Sequence, residues 1–547
     1  MGRRRAPYIP PRTLFPPPIT PCALASYLNN VGLIGLFWYL HQPCAAHGGK
    51  ALRWAAIQGE TRLVKHLLEA GEGPLLHAIV DPNACDDGGA TALILAANQG
   101  HVDVVQALLA DPRVEVNAYD EAQWTALIWA ASNGHVNIVQ ALLTKPQVEV
   151  NARDEEQWTP LMWAASSGGV DVVQALLADP RVDVNASDHD QWTPLIFVAS
   201  TGYLDVVKAL LADPRVDVNA CTEKKWTPLI FAATVGNLEV LQALLADPRV
   251  DVNALSWKQW TPLIFAANKG HVNIVQALLA DPRVEVNARN GKQRTSLILA
   301  ASEGHVNVVQ VLIADPRVEV NARDKDQWTP LIWAAKQGHL EVVQALLTNP
   351  RVEVNASIEK QWTPLIWAAS RGHASIVQLL LADPRVEVNA CSGRQRTPLI
   401  VAASEGRLDV VQALLADPRV EVNARDDEQW TPLIWAASLG HTNVVQALLT
   451  NPRVEVNACT KDQWTSLIWA ASEGYLEAVQ ALLAHPQVDV NAHTMGFRGK
   501  TALKMATAAG HTDIIQAILA HKRRQDRGAK PSLFAPLKAF MQKDGPK

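Results

Sequence analysis

Several things are scarce in this 547-residue chain, and each scarcity closes off a class of function. Six cysteines are too few for a disulfide scaffold. Residues 1–49 hold four arginines and no acidic residue, and residues 13–49 hold no charged residue at all. No glycine-rich phosphate loop, HExxH or GxSxG motif occurs. The segments that flank the patterned body, 49 and about 27 residues, are too short for a catalytic domain. The sequence therefore predicts no enzyme and no cofactor. The formal net charge of −5 hides an uneven layout. The basic ends flank a body, residues 50–520, that carries about fifteen excess acidic charges, so a nucleic-acid partner is not expected.

Periodicity is abundant instead. A threonine recurs at Thr91, Thr125, Thr159 and every 34 residues to Thr465, then at Thr501 after 36. Lys50 fills the slot in an earlier, divergent copy, which gives fourteen units over residues 50–520. In one unit, QWTPLMWAASSGGVDVVQALLADPRVDVN, Thr159 is placed as an N-cap and Pro160 at the first helical position, where its missing N–H is harmless. Leu161, Ala164 and Ala165 recur at helical spacing, and Gly168 stops the first helix. Val170–Ala178 is a second amphipathic helix, ended by Asp179-Pro180. Val182–Asn185 then alternates with period two into a polar tip.

This unit resembles the ankyrin repeat, on the Thr-Pro-Leu start, the Gly-His turn (His101, His135) and the Asn-Ala that precedes the tip from Asn83 to Asn491. The resemblance implies an all-α helical repeat solenoid with β-hairpin fingers, and a role in binding other proteins. At 8–10 Å per helix layer the array would extend roughly 130 Å. Three departures stand out. Ile or Met (Ile94, Ile128, Met162) replaces the signature histidine, Gln mostly replaces the tip glycine, and the repeat has 34 residues.

Nine units carry Trp before the Thr, and the same nine carry Trp or Phe four residues after it, as in Trp158 with Trp163 and Trp192 with Phe197. In the other threonine-led units both rings are lost together, as at Arg294 with Leu299 and Arg396 with Val401, and only the divergent first copy, with Gly49 and Trp54, breaks the rule. Flanking an N-cap, these are the two ends of a hydrophobic staple. The staple is the favoured reading; a stripe of indoles touching a partner is the alternative.

The three residues before the tip Gln differ between units. They run acidic at Asp120-Glu121, Asp154-Glu155-Glu156 and Asp188-His189-Asp190, then basic or aromatic. Lys224, Lys225, Trp257, Lys258, Lys292, Arg294, Arg394 and Arg396 are the candidate protein-binding residues. Charge complementarity there would set specificity and on-rate. Freely drifting solvated tips are the competing reading.

The recurring histidines cannot gather around one metal ion, because equivalent positions lie roughly 10 Å apart and zinc needs ligands at about 2 Å. The same spacing keeps Cys85, Cys221, Cys391 and Cys459 as free thiols, which fits a reducing compartment. At the N-terminus, residues 23–40 read first as an apolar cap over the array, with membrane association and a signal sequence as alternatives. Residues 521–547 form a basic tail. The expected function is a monomeric protein-binding scaffold or adaptor, cytoplasmic or nuclear, reading partners with its finger tips and concave face. A membrane-tethered or nuclear regulator, in which the array positions the terminal segments, and an elastic spacer are the alternatives.

Overall fold

A computed structural model describes residues 45–69, 80–358, 361–495 and 499–526. The 23–40 segment, most of the basic tail and the tip residue Lys360 lie outside these. The chain divides into two units, residues 1–257 and 258–547.

Among the described residues, the first unit contains six helix pairs, from Ala45–Gln58 with Thr61–Glu69 to Pro228–Val235 with Leu238–Leu245. The described residues of the second contain eight, from Pro262–Lys269 with Val272–Ala280 to Ala502–Ala509 with Thr512–Asp526. The fold is the helical solenoid that the period predicts, and the last helix runs on past residue 520. Within each unit, first helices pack on first helices and second on second in consecutive repeats.

Local chemistry sets the helix bounds. The hydroxyl of Thr159 accepts from the Met162 N–H at 3.4 Å, and the same bond forms at the other repeating threonines. Such a cap stabilises a helix by about 1 kcal/mol. The first helix of the Thr91 repeat ends at Gly100, whose φ of 86° an L side chain rarely adopts. A Cβ there would also stand 2.8 Å from the His135 ring of the next repeat. Glycine is thus required twice over at this seam.

The core is small and layered. Leu161, Ala164 and Ala165 are buried against Val172, Val173 and Leu176 of the partner helix. The residues that replace the signature histidine, Ile128 and Met162 among them, are buried as plain core side chains.

The fingers are hairpins reduced to their tightest form. Among the described residues, bridge pairing is isolated, as at Tyr119 with Thr125 and Cys459 with Thr465. The tip at Asp154 is closed by Asp154 N–H to Trp158 O (3.1 Å) and Gln157 N–H to Asp154 O (2.9 Å). That closure places Gln157 at φ 64°, and nine other glutamines and Lys225 adopt the same left-handed backbone.

Candidate functional site

The identical positions of each repeat join it to its neighbours. Asn151 donates its side-chain amide to the Arg181 carbonyl at 2.9 Å and accepts from the Asp183 N–H at 2.8 Å. The same pair of hydrogen bonds recurs at Asn117, Asn185 and Asn219 in the first unit and at Asn287, Asn321 and Asn423 in the second. Arg181 grips Asp179 at 2.6 Å and donates to the Leu143 carbonyl at 3.1 Å. A guanidinium therefore sits at the C-terminal end of the preceding repeat's second helix, where the helix dipole favours positive charge. The arginine beside each such aspartate lowers the carboxyl below its ordinary range, as at Asp179 and Asp213. At the first helix ends, the His305 ring meets the Asn268 carbonyl at 3.0 Å and His339 the Ser302 carbonyl at 3.0 Å. These histidines bind backbone across a seam. Among the described residues, no group of three or more His, Cys, Asp or Glu could hold a metal ion.

The tryptophans form seams as well. Trp124 touches Trp129 of its own repeat and Trp163 of the next, both at 4.5 Å between ring centroids. Trp158 touches Trp163 at 4.8 Å and Phe197 at 5.2 Å. The staple predicted inside each repeat is present, and it also clamps the following one, which local helical spacing could not reveal. In the second unit, besides the Trp260–Phe265 pair, two groups of four rings form, Trp333–Trp328–Trp367–Trp362 and Trp435–Trp430–Trp469–Trp464.

The arginines that replace tryptophan before these groups take over the seam. Arg294 lies over the Trp333 ring at 4.3 Å and donates to Asp324 at 3.2 Å. Arg396 lies over Trp435 at 4.2 Å and faces Asp426 at 3.6 Å. Stacked cations of this kind contribute about 0.5–2 kcal/mol. Both guanidinium groups, taken as candidates for partner contact from sequence, are engaged inside the array.

The tip residues split by position. The first of the three is buried in most repeats: Asp154 is 2% exposed, and Thr222, Ser256, Asn290, Ser392 and Asp426 are also buried, whereas Asp120 and Asp188 are half-buried. Asp154 accepts from the N–H groups of Glu156 and Trp158 and from the Trp163 indole at 2.8 Å. Burial nonetheless pushes its carboxyl above the ordinary range. The acidic run read from Asp154 is therefore solvent-facing only at Glu155 and Glu156, because the aspartate closes the hairpin. A signal was available: Asp stands nine residues before Trp at Asp120, Asp154, Asp324 and Asp426.

The remaining candidates are at the surface. Lys224, Lys225 and Trp257 are exposed in the first unit, Trp257 at 63%, and the Trp257 N–H donates to the Lys224 carbonyl at 3.1 Å. In the second unit Lys258, Lys292 and Arg394 are exposed. There the Lys325 N–H donates to the Lys292 carbonyl at 3.0 Å and Asp427 to Arg394 at 3.3 Å. Consecutive tips thus stack backbone to backbone, and each presents its side chains outward from a fixed post. The surface between repeats also holds an open cavity of about 610 Å³ beside Asn355, Cys391 and Arg419.

Comparison with known proteins agrees with this architecture. A family profile described as "Ankyrin repeats (3 copies)" matches the chain in overlapping stretches, among them 24–120, 146–220, 297–390 and 452–529. A calmodulin-binding transcription activator from Oryza sativa subsp. japonica is 37% identical over 90 residues. That stretch is 16% of this chain and only 9% of the rice protein.

Proposed function

Because this chain belongs to the ankyrin repeat family, we propose that it works as a non-enzymatic scaffold that binds other proteins through its exposed finger tips. One observation carries the reading. The side chains that repeat from unit to unit (Thr, Trp, Asn, Arg, His) are used in capping helices and joining neighbours, whereas the exposed tip positions differ in charge. Lys224, Lys225 and Trp257 in the first unit, and Lys258, Lys292 and Arg394 in the second, are the proposed contacts for an acidic protein surface. Arg294 and Arg396 contribute by holding the posts. A typical interface needs about 800 Å² per partner, so a few consecutive repeats are enough. Cys85, Cys221, Cys391 and Cys459 are free thiols, which supports work in the cytoplasm or nucleus. Among the described residues no helix is long and apolar enough to cross a membrane.

The test is proximity labelling with the wild-type chain and with a variant carrying Lys224→Glu, Lys225→Glu, Lys258→Glu and Lys292→Glu. The variant is expected to unfold at the wild-type temperature and to lose most of the proteins that the wild type enriches. An unchanged set of neighbours would remove the basic tips from the proposal, and no enrichment by either chain would favour a spacer.

A further inference from the structure

The aromatic groups of the second unit differ in one respect that concerns ligands. In the Trp328 group a lysine of the chain already occupies the rings. The Lys336 ammonium lies 4.2 Å from the Trp328 centroid, 5.1 Å from Trp333 and 5.2 Å from Trp367, within the range of cation–π attraction for all three. Arg371 stands over Trp367 at 5.9 Å. Lys336 is held below its ordinary pKa first by burial and then by the charges of Arg371 and Arg294.

The Trp430 group repeats this geometry without the lysine. Trp430–Trp435 and Trp430–Trp469 are 4.5 and 4.9 Å apart with interplanar angles of 39° and 42°. Trp328–Trp333 and Trp328–Trp367 are 4.7 and 4.8 Å apart at 39° and 41°. The stacked arginine and its aspartate recur too, as Arg396 and Asp426. Seven residues after the capping Thr431, where Lys336 follows Thr329, stands Ser438. One turn after Trp469, where Arg371 follows Trp367, stands the exposed Glu473. Two cations are thus replaced by a small hydroxyl and a carboxylate around an unchanged set of rings.

We propose that Trp430, Trp435 and Trp469, with Ser438 and Glu473, form a binding site for a lysine side chain of a protein partner. The rings supply the attraction that Lys336 draws from its own group. Ser438 is much smaller than the lysine at the equivalent position, and its hydroxyl donates its proton to the Trp435 carbonyl while the oxygen keeps lone pairs for an ammonium. Glu473 adds opposite charge where Arg371 adds repulsion. The exposed Leu439, one turn after Trp435, offers apolar surface for the lysine stem. The site rests on the scaffold reading only for the nature of the molecule that carries the lysine.

The full chain labelled with 5-fluorotryptophan, its fluorine signals assigned by single Trp→Phe changes, would be titrated with Nα-acetyl-lysinamide and with neutral Nα-acetyl-norleucinamide. The lysine probe is expected to shift Trp430, Trp435 and Trp469 and to leave Trp328, Trp333 and Trp367 in place. It should bind about tenfold more tightly than the norleucine probe. Ser438→Lys should silence the site, and Lys336→Ser should open the Trp328 group to the same probe. Each change installs a residue found at the equivalent position, and either swap alone is decisive if the other unfolds. Equal shifts by both probes, silence of the Trp430 group, or a response that persists in Ser438→Lys overturns the proposal. A positive titration beside failed partner enrichment would leave the site standing and the scaffold reading fallen.

Discussion

Trp124 lies 4.5 Å from Trp163, a residue of the following repeat, as close as it lies to Trp129 of its own. The indole is therefore shared between two repeats, and its removal is felt in both. Repeat arrays derive their stability from such nearest-neighbour terms added to the intrinsic stability of each unit.

Trp158→Ala tests this directly. It removes the contacts to Trp163 and Phe197 and is expected to destabilise by about 3–5 kcal/mol. Urea unfolding should show a lower midpoint and a less cooperative transition. An unaltered midpoint would sink the clamp.

Thr460→Asp should have the opposite sign. Among the described residues, the buried Trp469 indole N–H has no hydrogen-bond partner. Where Asp stands nine residues before the tryptophan, as Asp426 does before Trp435, the indole donates to it at 3.0 Å. Supplying that carboxylate is expected to stabilise by about 1 kcal/mol at neutral pH, read from the thermal midpoint. A lower midpoint would mean that burying the charge outweighs the new bond.

Gln191→Gly probes the tip backbone. Gln191 holds φ at 62°, a region that costs an L side chain roughly 1–2 kcal/mol, partly offset by the greater freedom glycine has when unfolded. The change should be neutral or stabilising by up to about 1 kcal/mol in chemical denaturation. A loss of stability would show that the glutamine side chain contributes more than its backbone strain removes.

Acid should weaken the array in a defined window. Asp111, Asp179, Asp213, Asp281, Asp315, Asp383 and Asp417 are all lowered, chiefly by the hydrogen-bonded arginine two residues on. Their contribution is complete above the unfolded carboxylate value of about 3.9 and is lost as pH falls through the lowered folded values. Asp154, raised by burial, works the other way, since its folded form holds the proton more tightly. With seven groups against one, melting temperatures should fall below about pH 4. A flat profile down to about pH 3 would contradict the pairing.

Much of this was legible in the sequence, and the limit was distance along the chain. The threonine caps, the glycine stops and the paired rings show through spacings of nine residues or fewer within one repeat, which helix geometry fixes. The partners of Trp124, Asn151 and Arg294 lie 30 to 39 residues away in the next repeat, beyond any local pattern. Nothing local to Arg294 or Arg396 therefore distinguishes a candidate protein-binding residue from one that stacks on Trp333 or Trp435. The burial of Asp154 escaped for a different reason. A polar residue in a polar tip gives no sign of facing inward unless its match with Trp163 nine residues later is noticed.

The asparagine links carry one more consequence. Asn151 reaches residues 30 and 32 positions ahead, and Asn185 and Asn219 reach equally far. Any 34-residue stretch holds one linking asparagine and one set of the backbone groups such an asparagine binds, so a tandem copy restores every joint wherever it begins. Such a chain can grow or shrink by whole units without a new mutation to fit the ends, and natural selection is left free to act on the tips alone.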